Sequence, residues 1–169
     1  MIKYCLDANI LITAWHITYS IIVFPTLWEK LPYIRNHVTL IKPIYDEIEP
    51  ISSSDKKMSL DEKRIKYPVR MWLDDNNFSA TEIVDEINSL SLMLEKKYEI
   101  NELTTGANQN DITLIAYAKH TNGIVVTFEA IQPQKPKEKY KYKIPLICNE
   151  EKVICCDFIT MLKELKISI

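Results

Sequence analysis

Short apolar runs alternate with longer stretches in which apolar positions recur every three or four residues. Ile2 to Leu6 is mostly apolar and stops at Asp7, the pattern of a buried strand. Val38–Ile41, Ile124–Phe128 and Val153–Cys156 repeat that pattern. Between them the periodicity predicts helices. Asn9–His16 carries Ile10, Ile12 and Trp15, and Pro25–Val38 carries Leu27, Trp28, Leu31 and Ile34, with Pro32 set to break or kink it. Pro43 opens a helix through Glu47 that Pro50 closes. Leu60–Trp72 is a helix interrupted near Pro68. Ser79-Ala80-Thr81-Glu82 has the form of a capping box and opens a helix carrying Ile83, Ile87, Leu90 and Leu94. Gly106 to Asn110 is a loop, and Asp111–His120 and Asp157–Lys166 are helices. A Pro/Lys-rich loop covers Gln132–Lys143. Strands alternating with helices imply an α/β fold in three layers, a mostly parallel central sheet flanked by helices.

Composition narrows the picture. The 169 residues suit one domain, residues 1–169, with 47% apolar and 26% charged residues. With only two glycines, Gly-rich phosphate loops are nearly excluded, and no G-x-S-x-G, G-x-x-x-x-G-K or G-x-G-x-x-G occurs. The net charge of −2 gives no strong overall pull on nucleic acid, so such contact needs a local basic patch or metal ions. An acid follows the first short apolar run, and no run approaches the ~20 residues of a membrane span, so the expectation is a cytoplasmic protein without membrane attachment. Cys5, Cys148, Cys155 and Cys156 lack C-x-x-C spacing and are expected to be reduced; the three histidines share no ligand spacing.

Four acids stand out by position. Asp7 ends the first strand, and Glu129 follows the strand Ile124–Phe128. Asp111 begins the helix leading into that strand, and Glu47 lies on the helix after the second strand. Ligands of parallel α/β sheets bind beyond the carboxyl ends of the strands, which puts Asp7 and Glu129 at one crevice. Singly, each acid has an ordinary explanation: Asp7 as a helix N-cap, Asp111 as a partner of a helix dipole, Glu47 on a solvated face, Glu129 in a loop. Convergence is what points to chemistry, because clustered carboxylates repel one another unless a cation is held between them.

These residues carry a resemblance. Leu6-Asp7-Ala8-Asn9-Ile10 resembles the opening D-x-N/S signature of PIN-domain ribonucleases, the group that includes the VapC-type toxins. The run from Asn110 to Ala118 is similar to that family's third acid on its helix, and Val125-Val126-Thr127-Phe128-Glu129 to its strand ending in T-x-D. Phe24–Trp28, Lys143–Cys148 and the final helix are similar to an uncharacterised branch of the superfamily. Two positions depart from the pattern: Ala8 stands where members often have Thr, and Glu129 where many have Asp, a longer side chain able to bind through water. The resemblance implies an endoribonuclease that uses Mg²⁺ or Mn²⁺. Asp7, Asp111 and Glu129 are then metal ligands, Glu47 (preferred to Asp46 on the family's helix pattern) is a fourth catalytic acid, and Asn9 and Thr127 are supports. It also implies an RNA substrate, a toxin's role beside an antitoxin protein, and pairing into a homodimer. Mg²⁺ prefers such oxygen ligands, and metal ions activate water and clamp the phosphodiester.

Lysine recurs at every second position from Lys135 to Lys143. If that segment is extended, Lys137, Lys139 and Lys141 fall on one side, where they can track a phosphate backbone while Tyr140 and Tyr142 offer stacking faces. The plainer expectation is a solvated, mobile loop. Two other functions compete with the nuclease. A haloacid-dehalogenase-like phosphatase also places Asp after its first strand, but needs a second Asp where this chain has Asn9. A degenerate PIN domain would bind RNA or protein without cutting.

Overall fold

The computed structural model describes residues 3–168. The strands β1 (Tyr4–Leu6), β2 (Val38–Ile41), β3 (Ala80–Thr81), β4 (Ile124–Val126) and β5 (Ile154–Cys156) form one sheet in the order β3-β2-β1-β4-β5. Every pairing is parallel. All residues of β1, β2 and β4 are buried. Successive side chains of a strand point to opposite faces, so uninterrupted burial means that helices cover both. The expected α/β layering is thus the observed one. Of the first strand's expected extent, Ile2 lies outside the described residues.

The helices are α1 (Ala8–Thr13), α2 (Pro25–Lys30), α3 (Lys42–Glu47), α4 (Leu60–Lys66), α5 (Pro68–Asp75), α6 (Asp85–Lys97), α7 (Gln109–Thr121), α8 (Ile144–Glu151) and α9 (Phe158–Glu164). After α1 the chain widens into a π-turn over Ala14–Thr18, closed by Tyr19 N–H on the Ala14 carbonyl. Pro32 acts as its chemistry requires: α2 ends at Lys30 and the chain tightens into a 3₁₀ turn over Leu31–Ile34. Trp15, Trp28 and Trp72 pack with ring centroids 4.6 and 5.1 Å apart along that series. No helix among the described residues is long and apolar enough to cross a membrane.

Two expectations are corrected. Ser79–Glu82 is not a capping box. Ala80 and Thr81 pair with Leu40 and Ile41 as the edge strand β3, and the helix starts only at Asp85, with Val84 as its N-cap. The open edge of β2 offers backbone partners that local capping cannot match. The boxes that do form are Ser59/Glu62 and Asn108/Asp111.

The second correction is the lysine segment. Lys139–Lys141 is a 3₁₀ turn rather than an extended comb. Lys135 pairs with Glu150, Lys141 pairs with Glu138, and Tyr142 is buried at 4% exposure, out of reach of a base. The segment is also not a loose loop. Gly106 N–H bonds the Tyr140 carbonyl at 3.1 Å and Ala107 N–H bonds the Tyr142 carbonyl at 2.8 Å. A Cβ on Gly106 would lie 2.1 Å from the Tyr142 oxygen, so only glycine permits the two chain segments to approach this closely.

Ile144–Glu151, to which the sequence pattern assigned no element, forms the helix α8, with Pro145 in its first turn.

Candidate metal centre

The chain runs from β1 through β2 to β3 on one side of the sheet and takes β4 and β5 to the other. The order therefore reverses between β1 and β4, the point of a doubly wound sheet where a crevice opens. Asp7 and Thr127 stand there, one residue beyond the ends of β1 and β4. Asp7 N–H bonds the Val126 carbonyl at 3.0 Å, and Thr127 N–H bonds the Cys156 carbonyl at 3.2 Å.

Asp7 is 1% exposed and Thr127 2%. The Thr127 hydroxyl donates to Asp7 Oδ2 at 2.9 Å and accepts the Glu129 N–H at 3.1 Å. The other oxygen of Asp7 accepts the Asn9 N–H at 3.3 Å, so Asp7 is also the N-cap of α1. Burial raises the Asp7 pKa; Thr127 and Asn9 oppose this, and Glu129 and Glu47 add to it.

Asp111 occupies the third position of α7, where Asn108 Oδ1 accepts the Asp111 N–H at 3.1 Å and Asp111 Oδ2 accepts the Asn108 N–H at 2.8 Å. It is 8% exposed. Burial, then the charges of Asp7, Glu129 and Glu47, push its carboxyl up to about 7 against the pull of the Asn108 N–H. Glu47, in the last turn of α3, accepts from Asn110 Nδ2 at 2.6 Å, which ties α3 to α7. Glu129 Oε2 accepts the N–H of Ile144, the first residue of α8, at 2.7 Å.

The structure thus brings Asp7, Glu47, Asp111 and Glu129 to one edge of the sheet, close enough for the charges of Glu47 and Glu129 to raise the pKa of Asp7 and Asp111. Asp46 instead pairs with Lys42 on the exposed side of α3. Glu49 receives the Val69 and Arg70 N–H groups at the start of α5. Asn9 joins the site through its backbone, and its side chain is exposed. Among the described residues Lys137, Lys139 and Lys141 form no ion pair with any of the four acids.

Sequence reasoning missed Asn108 and Asn110, which hold two of the acids. The spacing Asn108-x-x-Asp111 was the available signal for the first. It also missed Glu151 at the end of α8, buried at 6% exposure between Lys97, Lys119 and Tyr98. No local pattern announces that group, whose partners come from two other helices and the residue that ends one of them.

The donor set is all oxygen, which fits a hard divalent cation. Among the described residues no group of three or more His, Cys, Asp or Glu side chains lies close enough together to hold a metal ion directly. Asp111, Glu47 and Glu129 each engage one carboxylate oxygen in the hydrogen bonds above, leaving the other for a cation or its water. That matches an ion that keeps several waters better than one stripped of them.

The fold and this edge define an α/β protein with an all-parallel five-stranded sheet and a buried acidic edge. The structure superposes on a chain of VapBC2 from Rickettsia felis, solved bound to a DNA fragment from its promoter. The TM-score is 0.52, at 14% identity over 94% of this chain and 99% of that one. No curated protein matches the sequence. Residues 4–169 match the family described as a domain of unknown function, DUF4411, and the chain belongs to it.

Proposed function

We propose that this protein is a divalent-metal-dependent endoribonuclease and the toxin of a toxin–antitoxin pair. The observation that carries the nuclease reading is the convergence of four carboxylates, from four separate segments, at the strand-order reversal. Two of them, Asp7 and Asp111, are buried with raised pKa values and have no cationic side chain among their hydrogen-bond partners. Such an arrangement costs stability unless a cation relieves it.

Asp7, Asp111 and Glu129 would hold Mg²⁺ or Mn²⁺, with Glu47 directed at its waters. When bound, the ion supplies an activated water and a clamp on the phosphodiester oxygens. The chain's own residues do the positioning. Thr127 fixes the Asp7 carboxylate and the backbone of Glu129 with one hydroxyl, Asn108 fixes Asp111, and Asn110 fixes Glu47. The lysines of the 135–143 segment are candidates for the RNA backbone; among the described residues Lys137 and Lys139 form no ion pair. Support for an antitoxin partner is the fold shared with a VapBC2 chain, a likeness of architecture.

The test is RNA cleavage with Mg²⁺ or Mn²⁺ by the wild type and by Asp111→Asn, folding matched by circular dichroism. Losing one preorganised electrostatic group typically costs on the order of 10²–10³ in rate, and losing the cation with it should cost more. RNA binding should survive. One observation favours a second reading, a non-catalytic RNA- or protein-binding module: the acids are each held by protein donors, and among the described residues no three of them lie close enough to hold a metal ion directly. Equal RNA binding by both proteins with no cutting by either would select it.

A further inference from the structure

An open cleft of about 880 Å³ lies beyond the ends of β4 and β5, and Thr127 and Glu129 form one of its walls. It therefore adjoins the acidic centre at Glu129. Its size falls within the range of small-molecule sites. Tyr19, Phe128 and Phe158 line it, as do Asn149 and Asp157. Phe158 is fully buried and anchors the other two rings, with centroids at 5.7 Å from Tyr19 and 5.8 Å from Phe128. Those two rings remain partly exposed, and both are held by packing.

We propose that this cleft receives one unpaired nucleobase of the RNA strand, guanine in preference to the other three. The proposal rests on the nuclease reading above and names the specificity of that site. Three observations select the occupant. Glu129, on one wall, belongs to the centre that would take the phosphodiester, while Asp157, the cleft's other carboxylate, repels a phosphate; the backbone is left to the metal centre and a neutral base can enter the cleft. Partly exposed aromatic rings provide stacking surface, which every base can use. Hydrogen-bonding groups at the rim are rich in acceptors. Asp157 caps α9 through the Thr160 N–H at 2.7 Å, which occupies only part of a carboxylate's roughly four acceptor positions. Gln132 is spent on the Lys141 carbonyl and the Lys143 N–H, and Asn149 is exposed. Guanine presents adjacent N1–H and N2–H₂ donors that a carboxylate can accept together. Uracil offers one N–H between two carbonyls and would set acceptor against acceptor.

Binding without metal separates this idea from catalysis. Guanosine, adenosine, cytidine and uridine would be titrated singly into the metal-free protein while the side-chain amide resonances of Asn149 are followed by NMR. Guanosine should shift them at the lowest concentration. Asp157→Asn keeps a good helix cap while replacing the charged acceptor. It should weaken guanosine about tenfold, the scale of a charge-assisted hydrogen bond, and leave uridine unchanged. Asn149→Ala, at an exposed position, should weaken guanosine independently. With Mg²⁺, the wild type should cut RNA beside guanine and Asp157→Asn should spread its cuts over all four bases. Equal shifts for the four nucleosides, or none, would overturn the proposal. So would shifts produced by N-acetylarginine amide and by no nucleoside, which would make the cleft a dock for a cationic protein segment. Asp157-dependent guanosine binding in a protein that cuts no RNA would uphold the cleft and end the nuclease reading instead.

Discussion

Thr127 and Asp7, 120 residues apart in sequence, share a buried hydrogen bond of 2.9 Å across the ends of β4 and β1. The same hydroxyl accepts the Glu129 N–H, so one side chain sets the positions of two acids. Thr127→Val keeps the shape and removes both bonds. It should destabilise the protein by roughly 1–3 kcal/mol, the cost of leaving buried polar groups unsatisfied. Thr127→Ser should retain most of the stability. Urea unfolding of the three proteins measures this, and a Val variant as stable as wild type would deny Thr127 its role.

Asp111 should make the metal-free protein less stable as the pH rises. Its folded pKa, about 7, lies above the value of an unfolded aspartate, ~3.9. Its contribution is therefore fully present below ~pH 4 and is lost as the pH climbs through about 7. Asp111→Asn removes this loss. The variant should gain roughly 1–3 kcal/mol over wild type at pH 8 without metal, since a pKa unit is worth about 1.4 kcal/mol and the new amide forgoes part of it. Thermal melts in EDTA from pH 5 to 8 should show the two proteins diverging upward in pH. Parallel curves would place the Asp111 charge outside the cluster.

Glu151 works in the opposite direction. Burial pushes its pKa up, but Lys119, Lys97 and Tyr98 outweigh it and bring the carboxyl down to about 2. Its stabilising effect is thus present above the unfolded value, ~4.3, and lost as the pH falls towards about 2. Lys97 and Lys119 stay hydrated when the carboxylate is removed, but the buried Tyr98 hydroxyl loses its acceptor. Glu151→Ala should cost roughly 1–3 kcal/mol at pH 7, with a smaller difference at pH 3. Denaturation at the two pH values checks the sign.

Gly106 should tolerate no side chain. Gly106→Ala places a methyl against the Tyr142 carbonyl and must open the hydrogen bonds that fasten residues 140–142 to 105–107. Faster amide exchange at the neighbouring Ala107, with β1 and β4 still protected, is the expected result. Unchanged exchange would mean the segment relaxes around the methyl group.

Lys137, Lys139 and Lys141, changed together to Gln, should weaken RNA binding and flatten its log–log salt dependence. On a single strand the slope should fall by about 0.7 for each phosphate no longer neutralised. Thermal stabilisation by Mn²⁺ should be unaffected. A salt slope identical to wild type would remove these lysines from the RNA surface.

Much of this was legible in the sequence because it rests on local chemistry. Short, mostly apolar runs at Tyr4–Leu6, Val38–Ile41 and Ile124–Val126 are comfortable only between two covering layers, so the order of residues alone marks them as strands of a parallel sheet. Pro25 and Pro43 mark helix starts because proline's missing N–H costs nothing in the first turn, and Pro68, read from the sequence as an interruption, proves to start α5. The acids Asp7 and Glu129 could be placed on one edge, since strands of a parallel sheet all end on the same side. Tertiary structure decided the rest, through partners that lie far away along the chain. The exposed edge of β2 drew Ala80 and Thr81 into pairing and cancelled a capping signal. Gly106 and Ala107 captured the lysine segment and bent a run that would otherwise be free to extend. Asn110 engaged Glu47, while Asp46 and Glu49, one and two residues from it, were taken by Lys42 and by the start of α5. Glu151 found its partners on α6 and α7. Local pattern can state which groups need a partner, but which partner arrives depends on how the elements pack.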